Sequence, residues 1–118
     1  MLKKVNETIQ VLEWSENITL KNVEQFRQNM KKVVNSTEEQ LILNLASTNY
    51  INSAGLGIIA DGVMHARRNQ KELVIANIGQ SVKEIFSIVK FTSFMKMFES
   101  EKGAIEYFAV NSNEKECV

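Results

Sequence analysis

The most suggestive chemical group in the sequence is the hydroxyl of Ser53. This serine lies in the segment Asn52-Ser53-Ala54-Gly55-Leu56-Gly57, between an apolar run and a stretch with helical spacing. Asn52 or Ser53 can cap such a helix by accepting a backbone N–H, and a serine hydroxyl can also carry a phosphoryl group. The N-terminal end of a helix stabilises negative charge by about 0.3 to 1 kcal/mol. The segment is therefore either a plain helix cap or a regulatory site.

Two glycines follow Ser53 at the predicted start of the helix. Gly55 and Gly57 each lower helix propensity by about 1 kcal/mol relative to alanine. A glycine kept at this cost indicates close approach to the backbone. The approaching group can be the protein's own sheet or the surface of a partner, and the sequence leaves both possibilities open.

Catalytic and metal-binding sites are hard to assemble from these residues. A nucleophile elbow needs glycine where Ile51 stands, and His65 follows Ser53 by twelve residues of predicted helix, about 18 Å. No Gly-Lys-Ser/Thr sequence follows the glycines to bind a nucleotide phosphate. Because the chain has one histidine, one cysteine and one aspartate, we predict no catalytic residue, no metal and no cofactor.

Asp61, His65 and Arg68 recur at helical spacing on one predicted face. Residues at this spacing are typical of a solvated helix surface, which is the interpretation we favour. The alternative that we keep is a rim of a partner surface, because the face continues the helix that Ser53 begins.

The composition is that of one globular domain. The chain has 118 residues, of which 44% are hydrophobic and 24% charged, and its formal net charge is zero. A neutral chain generates no field to attract nucleic acid or an anionic membrane. The start of the sequence lacks the apolar run of a secretory signal, and no stretch has the roughly 20 apolar residues that cross a bilayer. We expect a cytoplasmic protein that binds neither nucleic acid nor membrane.

Hydrophobic periodicity alternates between strands and helices along the chain. The pattern predicts helices over 20–34, capped by Thr19 or its neighbours, over 54–68, over 81–90 and around 104–109. It predicts strands over 8–14, paired with 2–5, then over 41–46, 72–78 and 95–98. This order is typical of an α/β domain with a mostly parallel central sheet.

Three details of this assignment bear on the surface of the protein. In the helix over 81–90, Val82, Ile85, Phe86, Ile88 and Val89 are predicted to share one apolar side. The aromatic and methionine residues over 91–98 are predicted to pack in the core rather than to dock a partner. From residue 111 onward the polar sequence predicts a flexible tail, which leaves 1–110 as the domain.

With these elements in place, the segment Tyr50-Ile51-Asn52-Ser53-Ala54-Gly55-Leu56-Gly57 resembles the STAS domains of anti-sigma factor antagonists. The motif of that family reads Asp-Ser-Ser/Thr/Ala-Gly-Leu-Gly and falls between the same strand and helix. Ser81-Val82-Lys83-Glu84-Ile85-Phe86, with the segments that follow it, is similar to the family's last helix-strand-helix portion. The resemblance spans roughly residues 3 to 110 and implies a sheet of four to five strands with about four helices.

The resemblance implies a binding protein rather than an enzyme. In this family the serine that maps onto Ser53 is phosphorylated by a partner that is both a serine kinase and an anti-sigma factor. The unphosphorylated antagonist, expected here as a monomer, binds that partner and releases a sigma factor, and a separate serine phosphatase resets the switch. The implied partner-binding residues are Thr19, Asn52, Ser53, Ala54, Gly55, Leu56, Gly57 and Asp61.

Two positions depart from the family pattern. Asn52 stands where the family has aspartate, and Thr19 stands where an acidic residue often precedes the first helix. Asparagine keeps the shape and capping ability of aspartate but loses its charge. An alternative function is therefore a STAS scaffold or adaptor in a larger signalling or transport complex, without phosphorylation.

Overall fold

A five-stranded mixed sheet forms the centre of the protein. The computed structural model describes the backbone of residues 1–116 and the side chains of residues 1–110. The strands are β1 (Leu2–Lys4), β2 (Ile9–Glu13), β3 (Gln40–Asn44), β4 (Glu72–Ala76) and β5 (Met97–Phe98), and they lie in the order β1-β2-β3-β4-β5. The pair β1 and β2 is antiparallel and the other pairs are parallel. The predicted α/β class and mostly parallel sheet are confirmed.

Four helices cover the two faces of this sheet. They are α1 (Val23–Val34), α2 (Ser53–Arg68), α3 (Gln80–Ile88) and α4 (Glu101–Glu116), with a short 3-10 turn at Phe91–Ser93. Side chains of α1, α2 and α3 share one core cluster with Leu41, Leu43 and Ile75 of the sheet. On the opposite face, Ala104 and Phe108 of α4 pack with alternate strand residues. The sheet is therefore enclosed between three helices and one.

The two central strands are apolar because both of their faces are covered. Leu41, Ile42 and Leu43 of β3 are fully buried, and Val74 and Ile75 of β4 are buried in the same way. Such strands carry continuous apolar runs, since neither face meets water. The strands predicted over 41–46 and 72–78 are confirmed.

The first helix begins later than its apolar period suggests. The helix α1 starts at Val23, and its N-cap residue Asn22 makes no side-chain capping bond. Thr19 instead closes the preceding turn, where its hydroxyl oxygen accepts from the backbone N–H of Lys21 at 3.2 Å. The predicted helix start at Leu20 is therefore wrong, and Thr19 caps the turn that leads into α1 rather than the first residue of α1 itself. Leu20 lies outside the helix and is 88% exposed.

The third helix buries less of its apolar side than predicted. Val82 and Phe86 are fully buried, whereas Ile88 is 78% exposed and Val89 is 40% exposed. Ile88 follows Phe86 by two residues, which is about 200° around a helix, so it cannot reach the same core. The chain then turns away at Lys90, whose φ is 65°. The residues beyond it pack inward as predicted, with Met95 buried and Phe91, Phe94 and Met97 partly buried against the core.

A polar network fastens α4 to the sheet. The Asn44 side-chain amide donates to Glu101 at 2.9 Å, and Lys3 pairs with Glu101 at 3.0 Å and with Glu13 at 2.9 Å. Hydrogen bonds to Glu13 and then Glu101 hold the pKa of Lys3 above its ordinary value. The network links β1, β2 and β3 to the first turn of α4.

The last helix continues into the segment that the sequence predicts as a flexible tail. The helix α4 runs Glu101–Glu116, but the side chains from residue 111 onward and the whole of residues 117–118 lie outside the described residues. The flexible tail over 111–118 stays a prediction. Among the described helices, none is both long enough and apolar enough to span a bilayer.

Candidate functional site

Two loops run side by side at the carboxyl edge of the sheet. One follows β2 and the other follows β3, and these strands are parallel neighbours. An isolated parallel bridge joins Ile18 of the first loop to Ile51 of the second. The Ile18 N–H donates to the Tyr50 carbonyl and the Asn52 N–H donates to the Ile18 carbonyl, both at 2.9 Å. This bridge places the start of α2 at the edge where ligand and regulatory sites of α/β sheets are found.

Side chains reinforce the same pair of loops. The Asn17 carbonyl oxygen Oδ1 accepts from the backbone N–H groups of Asn49 at 2.7 Å and Tyr50 at 3.1 Å. The buried Thr48 hydroxyl donates to the Glu16 carbonyl at 2.8 Å. The two loops are therefore fixed to each other before any partner arrives.

Asn52 caps α2, and the side chain of Ser53 takes no part in the cap. The Asn52 Oδ1 accepts from the backbone N–H of Gly55 at 2.7 Å, with Asn52 in an extended conformation. Ser53 is the first residue of α2 and is exposed. Within residues 1–110, its hydroxyl has no hydrogen-bond partner. The prediction that Asn52 or Ser53 caps the helix is confirmed for Asn52, and the Ser53 hydroxyl faces solvent.

Gly55 and Gly57 differ in the space around the position of a Cβ atom. A Cβ at Gly55 would lie 2.7 Å from Ile18 Cγ2 and 2.8 Å from Ile51 Cγ2, so the buried bridge excludes any side chain. A Cβ at Gly57 would meet no atom within 4 Å. Of the two explanations open from the sequence, packing on the protein's own fold accounts for Gly55 and does not account for Gly57.

The other predicted site residues divide into two groups. Thr19 follows Ile18 as Asn52 follows Ile51, so the parallel register brings Thr19 beside the motif. Ala54 is exposed and Leu56 is partly buried in the first turns of α2. Asp61 is exposed two turns further along and borders a groove of about 380 Å³ between α1 and α2, together with His65 and Arg27. Asp61 is thus at the periphery of the segment around Ser53.

The chain segment that contains Ser53 is uncharged. No charged residue occurs from Leu41 to Ala60, although a quarter of the chain is charged. The first turn of α2 contains no acidic residue that would repel a phosphate at the helix N-terminus. Among the described residues no group of three or more histidine, cysteine, aspartate or glutamate side chains could hold a metal ion.

Two exposed apolar residues at this edge were not predicted as site residues. Leu20 is 88% exposed and Tyr50 is 51% exposed, one on each of the bridged loops. The helical period wrongly assigns Leu20 to α1. The uncharged run from Leu41 to Ala60 is the signal in the sequence that could have drawn attention to Tyr50.

Comparison with known proteins relates most of the chain to one family. The family model described as STAS domain matches residues 1–104. The protein BtrV of Bordetella bronchiseptica, which its name assigns provisionally to the anti-sigma factor antagonists, is 31% identical over 87 residues, covering 74% of this chain and 75% of that protein.

Solved structures have the same fold at low sequence identity. The anti-sigma factor antagonist SpoIIAA in its unphosphorylated form has a TM-score of 0.75 at 18% identity, covering 92% of this chain and 95% of that one. SpoIIAA from Bacillus in the phosphorylated form has a TM-score of 0.70. A sulfate transporter family protein from Wolinella succinogenes has a TM-score of 0.78 at 12% identity, covering 92% of this chain and 90% of that one.

Proposed function

The chain belongs to the STAS domain family, and we propose that it is an anti-sigma factor antagonist controlled by phosphorylation of Ser53. It binds an anti-sigma factor that has serine kinase activity, and this binding releases a sigma factor. The observation that carries the proposal is the exposed Ser53 hydroxyl, which is free because Asn52 caps α2. The provisional name of BtrV and the two phosphorylation forms of SpoIIAA support the same assignment.

The proposed switch acts through charge. A phosphoryl group adds about 1.5 to 2 negative charges and would lie within the uncharged segment from Leu41 to Ala60. An uncompensated charge buried at an interface costs about 3 to 5 kcal/mol, which is at least a 100-fold loss of affinity. The helix N-terminus tolerates the phosphate in the free protein, so the modification changes binding and not the fold.

This protein acts by binding and not by turnover. Ser53 and His65 lie at opposite ends of α2, so they cannot form a nucleophile and base pair. A separate serine phosphatase then has to restore the hydroxyl. We propose that this cycle operates in the cytoplasm with the protein as a monomer.

Gly57 belongs to the surface that the partner covers. It is exposed and nothing within the fold approaches the position of its missing Cβ, yet glycine costs the helix about 1 kcal/mol there. Close approach by a partner explains this cost. Thr19, Asn52, Ala54 and Leu56 extend the surface around Ser53, whereas Gly55 supports it from below and Asp61 forms its rim.

Phosphorylation by purified kinases tests the proposal. Each anti-sigma factor of the source organism that has a serine kinase domain is incubated with the protein and MgATP, and the products are mapped by mass spectrometry. We expect one phosphate, on Ser53, and none on the Ser53→Ala variant. Phosphate on other residues only, or on none with every kinase, would contradict the proposal.

A second candidate function is an adaptor that is never phosphorylated. The observation that favours it is Asn52 in place of the family's aspartate, since a kinase that reads this charge would not recognise the site. The STAS fold also occurs in a sulfate transporter family protein. Equal partner affinities for wild type, Ser53→Ala and Ser53→Asp would support the adaptor.

A further inference from the structure

The surface around Ser53 contains two apolar side chains that the fold does not use. Leu20 is the most exposed large hydrophobic residue of the described chain at 88%, and half of Tyr50 is exposed. Each lies on one of the two loops that the Ile18 and Ile51 bridge holds together. We propose that Leu20 and Tyr50, on the two bridged loops next to Ser53, are the principal binding contacts for the anti-sigma factor kinase. This inference rests on the proposed function and names residues that the family motif does not contain.

The bridge holds the chain around Leu20 beside the chain around Ser53. Leu20 follows Ile18 by two residues and Ser53 follows Ile51 by two residues, and the two bridged segments run in the same direction. Tyr50 precedes Ile51 and its backbone carbonyl accepts from Ile18. A partner that covers Ser53 therefore meets both loops at once.

The loops are rigid enough for these contacts to bind tightly. Asn17 accepts from the backbone N–H of Tyr50, and the Asn22 side chain accepts from the Thr19 N–H at 2.9 Å and donates to the Asn17 carbonyl at 2.7 Å. The backbone on each side of Leu20 is thus already ordered. Side chains presented on an ordered backbone lose less conformational entropy on binding.

The composition of this surface fits a protein partner rather than a nucleic acid or a small anion. Interface centres are depleted in charge and enriched in aromatic residues, with charged residues at the rim. Here Leu20, Tyr50 and Ser53 are uncharged, and the nearest charged residues along the two chain segments are Glu16, Lys21 and Asp61. The matching face of the kinase should be an apolar, uncharged depression beside its phosphoryl-transfer site, because Ser53 must reach that site.

Truncation of each side chain tests the inference. The affinity of the purified anti-sigma factor kinase without ATP is measured by isothermal titration calorimetry for wild type, Leu20→Ala and Tyr50→Ala. We expect each truncation to weaken binding by about 10-fold or more, as for central interface contacts. Thermal unfolding of the variants should match wild type, since neither side chain is buried.

Ile88→Ala is the matched control, because Ile88 is also an exposed aliphatic residue but lies at the far end of α3. It should bind as wild type. If Leu20→Ala and Tyr50→Ala bind as tightly as Ile88→Ala while Ser53→Asp is still released, the inference is wrong and the proposed function stands. If no anti-sigma factor kinase binds wild type, both fail. If sedimentation shows that wild type self-associates and Leu20→Ala is monomeric, the surface binds a second copy and the inference is overturned.

Discussion

Asn52 and Ser53 are adjacent but have separate tasks. The Asn52 side chain satisfies a backbone N–H at the start of α2, and Ser53 directs its hydroxyl to solvent without a partner in residues 1–110. An asparagine cap is about as good as an aspartate cap. The substitution that distinguishes this chain from the family motif therefore preserves the geometry around Ser53 and removes one negative charge from it.

Removal of the cap should destabilise the fold. We expect Asn52→Ala to lower the free energy of unfolding by about 1 kcal/mol, because the Gly55 N–H loses its acceptor. Asn52→Asp should stay within about 0.5 kcal/mol of wild type, since the carboxylate accepts the same bond. Urea unfolding followed through the fluorescence of Trp14, which is buried against Phe26, measures both. Equal stability of Asn52→Ala and wild type would show that the cap contributes nothing.

For individual residues, the sequence predicts the motif and a cap within it, but not which residue caps. Only the hydrogen bond seen in the structure decides between Asn52 and Ser53. Leu20 is wrongly assigned to α1 because helical periodicity continues through it, although Thr19 and Asn22 hold the chain in a turn there. A turn that is closed by side-chain hydrogen bonds does not change the spacing of apolar residues, so the sequence pattern does not reveal it.

The start of α2 depends on one pair of bridged loops rather than on regular sheet. The bridge between Ile18 and Ile51 lies beyond the ends of β2 and β3, and Gly55 packs directly on it. Helix α2 can approach this closely only because Gly55 has no side chain. Gly57, one half-turn further, has open space at the same point of its backbone.

The two glycines should therefore respond oppositely to alanine. Gly55→Ala places a methyl group against Ile18 and Ile51, and overpacking of this kind destabilises a fold by about 1 to 3 kcal/mol. This loss exceeds the gain in helix propensity from glycine to alanine. Gly57→Ala should instead stabilise the fold by up to about 1 kcal/mol. We also expect Gly57→Ala to weaken partner binding, because its methyl group would lie on the surface that we propose the partner covers.

Urea unfolding and calorimetric titration of the same two variants separate these effects. A destabilised Gly57→Ala, or a Gly55→Ala as stable as wild type, would contradict the packing argument. A Gly57→Ala that binds the kinase with wild-type affinity would remove Gly57 from the interface while leaving its stability prediction intact.

Element ends were the least predictable part of the chain. The strands over 41–46 and 72–78 could be predicted because residues covered on both faces must be apolar. The end of α3 could not, because Ile88 and Val89 are apolar for reasons unrelated to the core that Val82 and Phe86 fill. The helical period of apolar residues does not distinguish a residue that packs in the core from one that binds a partner.

Over the whole molecule, the alternation of strands and helices follows from hydrophobic pattern, and the position of the proposed partner surface follows from topology. Parallel β2 and β3 bring their loops to one edge, and the uncharged run from Leu41 to Ala60 forms the second of these loops and the start of α2. A phosphate on Ser53 would change the charge of this edge without breaking any hydrogen bond of the described residues. The switch we propose is therefore a change in what the edge can bind and not a change in fold.

The most direct test compares one preparation before and after phosphorylation. The protein is phosphorylated to completion on Ser53 and its affinity for the anti-sigma factor is measured by calorimetric titration beside the unmodified protein and Ser53→Ala. We predict that the phosphorylated protein binds at least about 100-fold more weakly, with an unchanged circular dichroism spectrum, while Ser53→Ala binds as the unmodified protein does. Equal affinities of the phosphorylated and unmodified proteins would contradict the account.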